Sequence, residues 1–347
     1  MKKKNFSYHT IDGLSLLLFI FFVGYFQNAN AQVPDAQMSG TSAYFRGNYI
    51  EAGLGDQGTY GAPNATRPAG YHDARVATMG FIANPVKDGW VNYDGDFFIP
   101  GTPEEGFGLE INGTNYSNNT DGLLEQIPGS ITSVSSSASY CGETAAEVIW
   151  QGSVGGINVH RRHTVTENGV FLKMTTTLTN TTTGTLNNIY WYHNVDPDNN
   201  QTLSSSYTTT NTIVGQASGV TDKLALVKAE APAAGGATDP DGSFVYLMAY
   251  DERARVTYGG FANRSASTIW NATGLVGTEG STNTADEAIS LAVNIGNLGA
   301  GESAEFTYYY ILTADYNSVL NCNDADGDGQ PDTNDLDDDD DGILDKT

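Results

Sequence analysis

The chain has 347 residues, with 16 basic and 41 acidic side chains and a formal net charge of −25. Its mature part has no basic stretch that could follow a phosphate backbone, which argues against a nucleic-acid partner. The same acidity suits solubility and cation binding, and it repels anionic surfaces.

Lys2, Lys3 and Lys4 precede an apolar run over residues 14–26, and Ala29-Asn30-Ala31 follows with small residues before Gln32. That order predicts a signal peptide over 1–31, cleaved after Ala31. The apolar run is too short to cross about 30 Å of hydrocarbon as a helix, and no later run approaches that length. The mature chain is therefore expected to be secreted or held at the cell surface, with no transmembrane span. An uncleaved anchor is the alternative. Of the net charge, residues 1–31 carry +2 and residues 321–347 carry −10, which leaves −17 for residues 32–320.

Residues 32–320 read as one β domain. Residues 32–75 are rich in Gly and poor in pattern, so part of that stretch is expected to be irregular. Beyond it, short runs rich in Val, Ile, Thr, Tyr and Phe recur between Gly, Asn, Asp and Pro. They include "ARVATMGFI" (74–82), "WVNYDGDFFI" (90–99), "AEVIWQG" (146–152), "INVHRRHTV" (157–165), "VFLKMTTTL" (170–178), "NIYWYHNV" (188–195), "FVYLMAY" (244–250), "AISLAVNI" (288–295) and "EFTYYYIL" (305–312). No segment carries a 3.6-residue apolar stripe over three turns. The predicted fold class is all-β, a large antiparallel sandwich followed by a short helix-free tail. The Ala/Gly/Pro-rich stretch 228–243 is read as a loop within that domain.

Within 159–200, strand alternation places His160 and Arg162 on one face and Arg161 and His163 on the other. Trp191 and His193 share a face opposite Tyr190 and Tyr192, and Asp196 and Asp198 follow the strand. Aromatic and charged groups at a strand end can hold a sugar, so Trp191, His193, Asp196 and Asp198 form a candidate ligand site. The plainer reading puts Trp191 in the core and the polar groups at the sheet edge. The strand pattern here, a Thr-Asn turn followed by an aromatic strand, is similar to the β-sandwiches of sugar mutarotases and related carbohydrate enzymes. No catalytic motif accompanies that similarity, and no catalytic residue is carried over. The turns "DPDNNQ" (196–201) and "DPDG" (239–242) can each ligate one Ca²⁺, although Asp and Asn are ordinary turn residues too. The body is expected to fold without ions; if it carries its own, these turns are the first places to look.

The tail, "DADGDGQPDTNDLDDDDDGILDKT" (324–347), is spaced for calcium. A 12-residue loop ligates through side chains at positions 1, 3, 5, 9 and 12, turns on a Gly at 6, and offers a carbonyl at 7. A frame starting at Asp324 puts Asp326, Asp328, Asp332 and Asp335 in the side-chain slots, Gly329 at 6 and the Gln330 carbonyl at 7. A second frame from Asp337 uses Asp339, Asp341 and Asp345, with Gly342 at 6 and the Ile343 carbonyl at 7; its twelfth slot would be position 348. A disordered acidic tail is the competing reading, but it does not account for Gly in slot six twice. The flanks lack the helices of an EF-hand. These residues resemble the thrombospondin type 3 repeat, whose Asp-rich loops wrap calcium without helices. That resemblance implies calcium as the cofactor and a linker role for 321–347, with the second repeat truncated. Cys141 and Cys322 can pair in an oxidising compartment and clamp the tail's start to the body, or remain two thiols.

The sequence therefore points to an exported calcium-binding protein of structural or adhesive role, with glycans or cell-surface components as partners. A carbohydrate-binding or carbohydrate-active β-sandwich is the alternative, and whether the chain is an enzyme stays open.

Overall fold

A computed structural model describes residues 33–61, 66–74, 79–97, 105–119, 126–198, 201, 205–217, 224–231, 243–261 and 263–320. The chain divides into units of residues 1–32 and 33–347, and every described residue belongs to the second. The segment expected to be a signal peptide, residues 1–31, and the tail expected to hold the calcium loops, Cys322 included, lie outside the described residues.

Three antiparallel sheets make up the fold. A four-stranded sheet takes β1 (Asp35–Ser39), β2 (Ser42–Arg46), β3 (Ile50–Leu54) and β4 (Phe81–Ala83) in chain order. A five-stranded sheet has the order β15 (Ala254–Tyr258), β17 (Ile289–Leu298), β11 (Leu186–Val195), β5 (Glu105–Ile111), β6 (Thr114–Asn119). A nine-stranded sheet runs β16 (Thr282–Ala285), β12 (Thr209–Gly215), β13 (Leu224–Ala231), β14 (Ser243–Tyr250), β18 (Ser303–Ile311), β10 (Phe171–Asn180), β9 (Ile157–Thr166), β8 (Glu143–Val154), β7 (Gly129–Tyr140). Two single-turn helices complete it, α1 (Ala266–Trp270) and α2 (Asn317–Leu320). The all-β expectation holds; of the stretch 228–243 read as a loop, residues 228–231 instead belong to β13 and Ser243 to β14, and these two strands pair with each other in one sheet.

Period-two alternation builds the core. From the nine-stranded sheet Trp150, Val159, Leu172, Met174, Phe306, Tyr308 and Tyr310 point inward; Phe107, Leu109, Trp191, Leu291 and Val293 face them from the five-stranded sheet, in one continuous apolar cluster. On the outer face the threonine run pairs across the β10–β18 ladder: Thr175 with Thr307 at 3.0 Å, Thr177 with Glu305 at 2.8 Å, and Thr179 with Ser303 at 2.7 Å. The run ends at Asn180 and turns over 181–185, as its composition suggests.

Part of residues 32–75 is irregular as expected, since the described residues after Leu54 up to Ala74 carry no named strand, but the start of that stretch is regular and one further segment differs from its expectation. Residues 35–54 form three strands, two of them buried along their whole length. Phe45 and Ala43 join the main core while Tyr44 packs with Tyr71 and Ile82, so both faces of β2 are covered and no polar–apolar alternation shows in the sequence. Conversely, "WVNYDGDFFI" contains no named strand. Trp90 takes a left-handed φ of 65°, and Asp88 accepts hydrogen bonds from the Val91 and Asn92 amides, which curls the segment into a turn.

Candidate functional site

Between the two large sheets lies a chain of buried polar groups. Arg161 and His163 come inward from β9, Tyr308 and Tyr310 from β18, His193 from β11 and Glu105 from the start of β5; all are wholly buried. Arg161 Nη1 donates to the Gly58 carbonyl at 2.6 Å and Nη2 to Tyr308 Oη at 3.0 Å. Its guanidinium covers the Phe107 ring at 3.8 Å, a cation–π contact in a desolvated setting. Because Tyr308 accepts from Arg161, its own proton is free for His193 Nδ1, 3.0 Å away. His193 is then the Nε2–H tautomer. That nitrogen meets Tyr310 Oη at 2.6 Å and also lies 2.7 Å from Glu105 Oε1, where the approach is close but poorly aligned for a hydrogen bond. Glu105 Oε2 accepts the Tyr60 amide at 2.8 Å, and the Tyr60 hydroxyl sits 2.9 Å from His163 Nδ1.

The electrostatics of this chain follow from its burial. Desolvation lowers the pKa of His193 against the pull of Glu105, which raises it. His163 is held well below the ordinary imidazole value by burial, then by Arg161 and His193. Burial lifts Tyr60 and Tyr310 well above the usual phenol range. Both histidines are thus neutral at pH 7, and Arg161 and Glu105 are the two charges of the network. The turn after β3 is bound into the same assembly. Gly58 has a φ of 80°, gives its carbonyl to Arg161, and would place a Cβ 2.9 Å from the Trp150 ring. The Trp150 indole donates to the Asp56 carbonyl at 2.9 Å. The network is a sealed polar core that seats the 55–60 turn and couples the two sheets.

A second group of charged side chains lies where β11 ends. Asp196 and Asp198 follow Val195, and Asp286 lies in the passage from β16 to β17. Each offers a carboxylate oxygen within 4.8 Å of the others, an arrangement able to hold a metal ion. Asp196 and Asp198 are buried and Asp286 is exposed. Asp198 is pushed up to about 8, by burial first and then by Asp196 and Asp286.

The residues nominated from sequence therefore separate. Trp191 and His193 share the inner face, as alternation requires, but both are wholly buried: Trp191 stacks on Phe107 at 5.1 Å, and His193 is committed to the network. Asp196 and Asp198 do stand together, in a carboxylate cluster whose third member, Asp286, carries no sequence signal beyond being an acidic residue. Glu105 was equally silent, since its importance comes from the partners that the sheets bring to it. Cys141 is disulfide-bonded; the partner considered from sequence, Cys322, lies outside the described residues. The acidic turn at 239–242 lies outside the described residues, as do all the tail ligands, Asp324 to Asp345.

Two concavities lie among the described residues, the larger of them mainly polar. The larger, about 520 Å³, lies on the outer face of the nine-stranded sheet and is lined in part by Gln151, Ser153, Asn158, His160 and Thr179. The smaller, about 290 Å³, is lined in part by Lys87, Cys141, Glu143, Phe171 and Asp315.

No protein-family model matches the chain, and no curated protein matches it. Solved structures with some likeness include a bacterial glucoamylase complexed with acarbose, at 7% identity over 83% of this chain and 33% of that one, with a TM-score of 0.37. A putative aldose 1-epimerase from Klebsiella pneumoniae gives 10% identity over 82% and 84%, with a TM-score of 0.36. A GH36 α-galactosidase from Geobacillus stearothermophilus gives 10% over 80% and 41%, with a TM-score of 0.34. The chain spans between a third and a half of the length of the first of these structures. At such scores none of them transfers an activity or a substrate, and the fold class rests on the strands themselves.

Proposed function

We propose that the protein is an exported calcium-binding β-sandwich protein with a structural or adhesive role, its body displayed on a C-terminal linker that calcium stiffens. The observation that favours a structural role over a catalytic one is the closure of the interior. The aromatic and imidazole groups nominated for a sugar site, Trp191 and His193, are wholly buried, and His193 spends both ring nitrogens on Glu105, Tyr308 and Tyr310. Calcium is supported by the two Asp/Gly frames of residues 324–345, where eleven aspartates repel one another until an ion ties the loops.

Small-angle scattering and calcium calorimetry on the mature chain test this reading. Calcium should bind, and it should change the radius of gyration relative to chelator. The variant combining Asp326→Ala with Asp328→Ala should lose both the scattering change and at least one bound ion. An identical response from parent and variant would remove the tail from the proposal.

A second reading is non-catalytic carbohydrate binding, favoured by the polar concavity beside Gln151 and Asn158. A glycan array probed with the mature protein and with Gln151→Ala/Asn158→Ala separates the two. Glycan binding that the substitutions abolish would favour the second reading.

A further inference from the structure

We propose that Asp196, Asp198 and Asp286 form a cation site in the body, distinct from the tail loops, that takes one Ca²⁺ and ties the end of β11 to the crossover between the two large sheets. The geometry suits a shared ion. The three carboxylates offer oxygens within 4.8 Å of one another, and ligands 2.3–2.6 Å from one Ca²⁺ lie at most about 5 Å apart.

Three acidic residues near each other would not suffice, because exposed carboxylates often gather with no ion between them. The deciding observation is Asp198, whose residue is only 4% exposed and whose Oδ1 is buried with no hydrogen-bond partner. A carboxylate buried without a partner is costly, and buried charges are ordinarily paired or bound to metal. Asp196 and Asp286 bring two further carboxylates to within 4.8 Å of it, and a divalent ion would supply the positive charge that all three lack.

The donor chemistry selects the ion. The cluster supplies carboxylate oxygens only, without thiolate or imidazole, which suits a hard cation. Ca²⁺ accepts irregular coordination by six to eight oxygens and can complete its shell with backbone carbonyls and water, whereas Mg²⁺ demands a near-ideal octahedron and keeps its waters.

The position explains what the ion would accomplish. β16 is the edge strand of the nine-stranded sheet, and β17 belongs to the five-stranded one, so Asp286 stands where the chain crosses between sheets. Val195, one residue before Asp196, pairs with Ile289 at the start of β17. One ion held by Asp196, Asp198 and Asp286 therefore pins the crossover to the end of its neighbouring strand.

Calcium calorimetry and thermal unfolding of the whole mature chain test the site, in the parent, in Asp198→Asn, in Asp286→Asn, and in the Asp326→Ala/Asp328→Ala tail variant. Each body variant should bind one ion fewer than the parent. Calcium at a hundredfold excess over Kd should raise Tm by about 5 °C or more in the parent and the tail variant, and by nothing comparable in the body variants. In chelator, Asp198→Asn should melt no lower than the parent, since it removes a buried like charge; that keeps ion loss apart from misfolding. If Asp198→Asn does not fold, the exposed Asp286→Asn decides the matter alone. An unchanged ion count with an unchanged calcium-induced rise in Tm in the body variants overturns the proposal. Failure of the tail variant to lose ions would count against the tail frames and leave this site standing.

Discussion

Replacing Glu105 with glutamine should destabilise the fold far more than its small steric change suggests. Glu105 is wholly buried, accepts the Tyr60 amide at 2.8 Å and lies 2.7 Å from His193 Nε2. The cation of the same network is Arg161, also wholly buried, whose guanidinium meets only neutral partners: the Gly58 carbonyl, Tyr308 Oη and, at 3.5 Å, His193 Nδ1. Glutamine keeps the volume and can still accept from Tyr60, but it leaves the guanidinium without its counter-charge. Arg161 and Glu105 form no direct ion pair, but leaving one buried charge uncompensated costs about 3–5 kcal/mol, which for a domain of this size lowers Tm by roughly 6–15 °C. Urea unfolding at pH 7, followed by the fluorescence of the buried Trp150 and Trp191, measures the loss. Arg161→Met should cost a similar amount, because it leaves Glu105 uncompensated and abandons the Gly58 carbonyl. The double variant should fall short of the sum by about 1–3 kcal/mol. A loss below about 1 kcal/mol in Glu105→Gln, or strict additivity in the double variant, would refute the reading of these groups as one charge-balanced network.

Three further outcomes are expected. With calcium chelated, the Asp198 contribution to stability should be fully present below about pH 4 and lost as the pH rises through about 8, because its folded pKa is raised from 3.8 to about 8; the loss is at most about 5 kcal/mol, and denaturant titrations of Asp198→Asn should lack that limb. Gly58→Ala should lower Tm by several degrees, since a φ of 80° is strained for alanine and the new Cβ would meet the Trp150 ring at 2.9 Å; an unchanged melt would show that the 55–60 turn is not held as described. Asp339→Ala with Asp341→Ala should remove the calcium bound by the second tail frame, and calorimetry that finds no change would count against that frame.

Much of the sandwich could be read from local pattern. Eight of the nine proposed strand segments fall within or overlap β4, β8, β9, β10, β11, β14, β17 and β18; where one face is in the core and one outside, as in β8 and β10, period-two alternation records the difference, while β14, buried on both faces, shows as a continuous apolar run. The inward direction of Arg161 and His163, and of Trp191 and His193, followed from the same parity. Strands β2 and β3 escaped because both their faces are covered, which erases the alternation. The 90–99 segment misled in the other direction: Asp88 curls residues 90–92 into a turn, and the described remainder makes only a single bridge, Asp94 with Ala83, while Phe97 packs into the core.

The candidate sites divide along the same line. Calcium loops are local devices in which one short run of chain supplies every ligand slot, so residues 324–345 declare their spacing with no tertiary help. The pairing of Glu105 with His193, the seating of Arg161 on Phe107, and the meeting of Asp286 with Asp196 and Asp198 join residues that are far apart in the chain. Sequence alone determined the faces, the class of fold and the spacing of the tail. Only the tertiary structure decided which buried charges meet, because that depends on strand order and on the crossover between sheets, and neither leaves a trace in the neighbourhood of any single residue.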